Sequence, residues 1–151
     1  MNYWLMKSEP DAFSIDDLKE VKVEPWDGIR NYQARNFMRD QMRVGDKAFF
    51  YHSSCDVPGI VGIMKINSKP YPDHTAFDTQ NKYYDAKSDP ENPRWMMVDV
   101  KFVKKLKQPV TLQALKACRE LDGMQLLKRG NRLSIMPVEE DHWNFIMGMI
   151  K

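Results

Sequence analysis

The sequence predicts an α+β fold, a small, largely antiparallel or mixed barrel of about five short strands with about four short helices packed on it. Two observations carry that expectation. Strand-like and helix-like runs are interleaved without the regular strand–helix alternation of a doubly wound parallel sheet. The 151 residues are enough for one sizeable core, so a single domain over 1–151 is expected. Hydrophobic residues at 42% and charged residues at 29% are ordinary for a globular chain.

Residues 3–7 read as the first strand, stopped by Ser8-Glu9-Pro10 because proline supplies no ladder donor. Ser14 suits a helix N-cap, with Asp17 three residues on and a staple between Phe13 and Leu18, and the short helix ends before Pro25. Residues 26–31 combine Trp26, Gly28, Arg30 and Asn31, a mixture that suits a recognition loop better than a core segment. From 31 to 42, Ala34, Phe37, Met38 and Met42 make one buried helical face, and Arg35, Arg39 and Arg43 form a second stripe. Gly45 is expected to end that helix and turn the chain into a strand over 47–52.

Residues 59–66 read as the next strand, where Gly59 and Gly62 suggest a bulge or the close approach of another backbone. The polar, proline-punctuated stretch 67–94 is too polar for a core element, and a loop that long usually has a job or hides short structure. Residues 95–103 alternate as a half-buried strand. A helix capped by Thr111 is expected over 111–121, lined by Leu112, Leu115 and Cys118. Residues 125–129 are ambiguous between helix and loop. Residues 133–135 read as a short strand running into Met136-Pro137, and a last helix over 139–150 buries Trp143, Ile146, Met147 and Ile150.

The formal net charge of +2 is too mild to establish a nucleic-acid partner by itself. Cys55 and Cys118 make no disulfide framework and no CxxC, which favours a reducing compartment. No secretory pattern and no long apolar run is present, so no membrane association is expected. There is no Walker loop, GxGxxG, HExxH or recognisable Ser/His/Asp spacing, and no cofactor or metal is expected.

The strings YWLMKSEP, WDGIRNYQARNFMR, VGDKAFFYHSS, PGIVGI, YPDHTAFD, WMMVDV and RLSIMPV, in that order along the chain, resemble the EVE domain family, close to its thymocyte nuclear protein branch and small bacterial relatives. That family belongs to the PUA-like group, which also holds the YTH and ASCH domains. The resemblance implies a PUA-like pseudo-barrel of about five to six mostly antiparallel strands flanked by short helices. It also implies a non-catalytic module that reads a modified base, 5-methyl- or 5-hydroxymethylcytosine in DNA. A monomer is expected, and the absence of targeting signals points to a bacterial cytoplasm or a eukaryotic nucleus. Three alternatives stand against the DNA-reader expectation: an RNA or modified-RNA reader like the YTH and PUA relatives, an enzyme acting on RNA or nucleotides, which the missing catalytic motifs speak against, and a protein-interaction adaptor.

A base reader must take the base out of its stack, replace the lost stacking with flat faces and meet the base edge with polar groups. Trp26, Tyr51 and Trp4 are candidates for stacking or walls, and Trp95 is a candidate for the pocket. Lys7, Ser8, Glu9, Ile29, Arg30, Asn31, His52, Ser53 and Ser134 are candidates around the base, and a carboxylate such as Glu9 can accept from a cytosine amino group. Met136 and Pro137 are candidates to close a wall against a methyl group. Arg35, Arg39 and Arg132 are candidate phosphate contacts. Against these stand plainer readings. Trp4 and Trp143 fit the core, Trp95 and His52 fit either role, and the arginine stripe is also what a solvated helix face looks like. Asp73-His74 reads as a hydrogen-bonded organiser of the long loop more readily than as a metal or acid–base pair.

Overall fold

The computed structural model describes residues 1–150. The chain opens with β1 (Tyr3–Ser8), α1 (Ile15–Val21) and β2 (Val23–Pro25), then α2 (Tyr32–Asn36) running into a π-helical turn (Phe37–Gln41). β3 (Lys47–His52) and β4 (Gly59–Ile66) follow, and β5 (Tyr71–Pro72) pairs with β6 (Met96–Met97) as a separate ribbon. β7 (Asp99–Thr111), α3 (Leu112–Lys116), β8 (Ile135–Val138) and α4 (Glu140–Met149) complete the architecture.

Six strands form one sheet in the order β2-β7-β4-β3-β1-β8, with β1 and β3 parallel and the other neighbours antiparallel. The sheet is curled into a half-barrel. Trp26, just past β2, and Phe50 on β3 are three strand spacings apart, about 14 Å on a flat sheet. Their ring centroids are 5.5 Å apart, edge to face. The inner face carries Trp4, Met6, Phe50, Met64 and Val100, closed over by Ile15 and Leu18 of α1 and by Ala34, Met38 and Met42. The outer face carries Leu5, Phe49, Tyr51, Ile63 and Met136, covered by α4 through Trp143 and Ile146 and by Leu115 and Leu121. Both faces of β1, β3 and β4 are therefore buried, which is why these strands read as nearly unbroken apolar runs.

The start of α1 forms as expected. Ser14 Oγ accepts from the Asp17 N–H at 3.1 Å, and the Asp17 carboxylate accepts from the Ser14 N–H at 2.9 Å. Gly59 and Gly62 also act as read. A Cβ on Gly59 would sit 2.5 Å from the Val110 carbonyl oxygen, and one on Gly62 would overlap Ile15. The pairing of β4 with both neighbours slips around Gly62.

Other expectations are corrected. The helix over 31–42 is a short α-helix and a π turn, whose Met42 N–H reaches the Phe37 carbonyl at 2.9 Å. Gly45 does not end it. The helical residues stop at Gln41, and Gly45 sits at positive φ in the turn before β3. The strand expected over 95–103 is broken at Val98 and resumes as β7, which runs on to Thr111. Its solvent-facing lysines hid that continuation. The helix over 111–121 is α3 plus a separate 3-10 turn (Arg119–Leu121), and 125–129 holds the 3-10 turn Gln125–Leu127. The strand expected at 133–135 lies instead at Ile135–Val138. Met147 is 38% exposed, because only one side of α4 meets the sheet.

Candidate nucleic-acid interface

The mouth of the half-barrel is a cleft of about 670 Å³ on the inner side. One wall is the end of β1, with Lys7, Ser8 and Glu9, stitched to its neighbours by the backbone. The Lys7 N–H donates to the Ser134 carbonyl at 2.8 Å, and the Ser53 N–H to the Ser8 carbonyl at 3.0 Å. The Ser8 hydroxyl donates to the Phe13 carbonyl at 2.6 Å and so ties the start of α1 to that wall. The opposite wall is 24–29, the end of β2 and the loop after it, with Glu24, Trp26, Asp27 and Ile29.

That loop is held from behind by one buried carboxylate. Asp73 is fully buried and accepts from the Gly28 N–H at 2.7 Å, from Arg30 Nη1 at 3.1 Å and from the Thr75 N–H and hydroxyl. Burial alone would push its pKa up, but these hydrogen bonds and the guanidinium outweigh burial and hold it below the usual range. Arg30 also donates twice to the Tyr83 carbonyl, at 3.1 and 2.7 Å, which brings Lys82 and Tyr83 to the cleft. Gly28 sits at φ +77 with the Tyr83 ring where a Cβ would be, so only glycine fits there.

Eight of the residues singled out from sequence line this one cleft: Lys7, Ser8, Glu9, Trp26, Ile29, Ser53, Arg132 and Ser134. The others sit elsewhere. Arg30 is the bracket just described, and Asn31 caps α2 by accepting from the Ala34 N–H at 3.0 Å. Tyr51 and Met136 are buried on the outer face, and burial pushes the Tyr51 hydroxyl up to about 12. His52 Nε2 accepts from the Ile15 N–H at 3.1 Å, which requires the neutral ring, and burial pushes its pKa down. Trp95 is buried, stacks on Tyr32 at 4.9 Å and donates its indole N–H to Asp85 at 2.7 Å. Pro137 is exposed in β8. Arg35 lies 4.8 Å over the Tyr32 ring and donates to the Arg94 carbonyl, and Arg39 pairs with Asp40 in solvent.

Sequence reasoning missed Phe13, Glu24, Asp27, Lys82 and Tyr83. Glu24 and Asp27 flank Trp26, so adjacency to a singled-out aromatic was an available signal. No signal marks which part of 67–94 folds back. Three cations, Lys7, Lys82 and Arg132, and three carboxylates, Glu9, Glu24 and Asp27, now share the cleft. The pKa of Glu24 is raised, first by burial and then by the charges of Asp27 and Asp99. That of Asp27 is raised by burial and by Asp73. Burial lowers the pKa of Lys7. Such a site suits a flat molecule with apolar faces, an amino group to meet a carboxylate and a phosphate to meet a cation.

A family model described as the EVE domain matches residues 2–149. The chain belongs to the EVE domain family. Mouse thymocyte nuclear protein 1 is 46% identical over 167 residues, covering 98% of this chain and 73% of that protein. Among solved structures, a Pseudomonas syringae protein superposes with TM-score 0.94 at 50% identity, covering 97% of this chain and 98% of its own. Human THYN1 protein, solved in complex with 5-methylcytosine-containing DNA, superposes with TM-score 0.94 at 44% identity, covering 99% of this chain and 97% of its own. A Zymomonas mobilis ASCH protein at 10% identity and TM-score 0.61 shares the fold.

Proposed function

We propose that this EVE domain is a non-catalytic reader of modified cytosine in DNA, acting as a monomer, with the base taken out of its stack into the cleft. The observation that carries the reading is the convergence of two separated stretches, 7–9 and 24–29, on one cleft large enough for a nucleotide. The solved complex of the human relative with 5-methylcytosine-containing DNA supports the choice of ligand. Trp26, Ile29 and Phe13 supply the apolar faces, the carboxylates meet the base edge, and Lys7, Lys82 and Arg132 take phosphates. An enclosed methyl group is worth about 1 kcal/mol, so a preference of about fivefold over plain cytosine is expected.

The test is binding to short labelled oligonucleotides carrying cytosine, 5-methylcytosine, 5-hydroxymethylcytosine, adenine or N6-methyladenine, as DNA and as RNA, at fixed salt. Preference for a modified cytosine in DNA supports the reading. A preference for RNA or for N6-methyladenine overturns it in favour of a YTH-like reader, and no binding at all favours a protein partner. Trp26→Ala should abolish the preference. Because Trp26 also packs on Phe50, the exposed Lys82→Ala tests the cleft independently and should weaken all DNA binding without changing base preference.

A further inference from the structure

The residue on the cleft wall with the most to explain is Glu24. It stands on β2 opposite Val100, whose side chain is fully buried on the inner face, so Glu24 faces the same inner side. Trp26 follows two residues later and points the same way, as alternation along an extended chain requires. A carboxylate and an indole therefore project side by side into one cavity. Glu24 is half-buried, yet among the described residues no cation lies within ion-pair distance of it and it has no hydrogen-bond partner. A folded chain seldom leaves a carboxylate partly dehydrated without a partner, because the charge costs free energy there. Of the other carboxylates of the cleft, Glu9 is exposed and Asp27 accepts a hydrogen bond from its own backbone N–H.

We propose that Glu24 reads the base edge of the cytosine, donating a proton to N3 and accepting from the N4 amino group, so that binding takes up one proton from solvent. This rests on the reading above. In the pair, the Glu24 carboxyl hydrogen lies between its own oxygen and N3, and the second oxygen accepts from N4–H. The ionised carboxylate makes only the N4 contact, and its other oxygen faces the N3 lone pair, which is repulsive. The surroundings favour the neutral acid. Burial, Asp27 and Asp99 all raise the Glu24 pKa. The remaining charged groups around the cleft are Glu9, Lys7, Lys82 and Arg132, with Asp73 behind Asp27 and Lys101 beside Val100 on β7. The Tyr71 hydroxyl donates to Asp99, which lies opposite Pro25 on β7.

The sign follows from linkage. The bound form holds the proton more tightly than the free form, so affinity is greatest below the free Glu24 pKa and falls as pH rises above it, by up to about tenfold per pH unit. The experiment titrates the intact protein against a 5-methylcytosine DNA oligonucleotide between about pH 5 and pH 8 at constant salt, a range in which phosphodiesters do not ionise. Calorimetry in two buffers of different ionisation enthalpy counts the protons. Wild type is expected to lose affinity as pH rises and to take up one proton. Glu24→Gln, whose amide can offer the same donor and acceptor without titrating, should bind with an affinity that no longer depends on pH. Glu24→Ala should bind more weakly throughout. A pH-independent wild type, an unaltered pH profile in Glu24→Gln, or wild-type affinity in Glu24→Ala would each overturn the inference and leave the reader assignment standing. Failure of wild type to bind modified cytosine at any pH overturns both.

Discussion

Single side chains divide here into those that shape the cleft and those that face it, and Arg30 is the clearest case of the first kind. Read from sequence beside Trp26 and Asn31, a lone cation in a loop suggests a ligand contact. Folded, its guanidinium is used on Asp73, Thr75 and the Tyr83 carbonyl. Those partners lie 43 to 53 positions away, beyond the reach of local pattern. Arg30→Met would leave the buried Asp73 carboxylate without its cation, which should cost about 3 kcal/mol of stability. Chemical denaturation measures that cost, and a loss under about 1 kcal/mol would mean the Gly28 and Thr75 bonds suffice. His52 carries a second prediction at this scale. Its folded pKa lies below the ordinary 6.5, so below about that pH the unfolded chain binds more protons than the folded one. Stability should therefore decline as pH falls from about 6.5 toward 5, through loss of the bond from the Ile15 N–H. His52→Gln, which can still accept that bond, should flatten thermal melts over the same window. An unaltered slope in the variant would assign the acid sensitivity to another group.

Secondary-structure elements were legible wherever local chemistry decided them. Ser14 with Asp17 announces α1, and Asn31 and Thr111 each accept from the third N–H of the helix they begin. What could not be read was set by distant partners. The π turn adds a residue to the helical circuit at Phe37–Gln41, yet the apolar spacing of Ala34, Met38 and Met42 suits a regular helix as well. β7 is long because β4 and β2 pair on either side of it, while its outward residues are lysines that look like loop. Within β4, Gly59 is where element geometry is least forgiving, since the obstruction to a Cβ is the Val110 backbone, which cannot rotate away. Gly59→Ala should cost about 1 to 3 kcal/mol by overpacking and strain, whereas the exposed and unobstructed Gly148, in α4, should gain slightly on the same change. Equal melting temperatures for the two variants would contradict the close approach of β4 to β7.

Across the whole molecule, the net charge of +2 conceals two positive surfaces with different surroundings. In the cleft, Lys7, Lys82 and Arg132 are interleaved with carboxylates and an aromatic. On the outer face, Lys47, Lys65 and Lys101 stand in register across β3, β4 and β7, all exposed. Either set could attract a polyanion, but only the first adjoins the cavity proposed to take a base. If DNA is held through the cleft, each phosphate contact there should contribute about 0.9 to the slope of log affinity against log salt. Lys82→Ala and Arg132→Ala should then each lower that slope by about one and weaken plain and modified DNA alike. Lys65→Ala and Lys101→Ala should leave the slope where it was, because a strand with one base drawn into the inner face runs along the opposite side of the sheet. Affinity measured from about 50 to 200 mM salt separates the cases. Should the outer lysines change the slope as much as the cleft cations do, the DNA path crosses the convex sheet, and the cleft would no longer account for how the backbone is held.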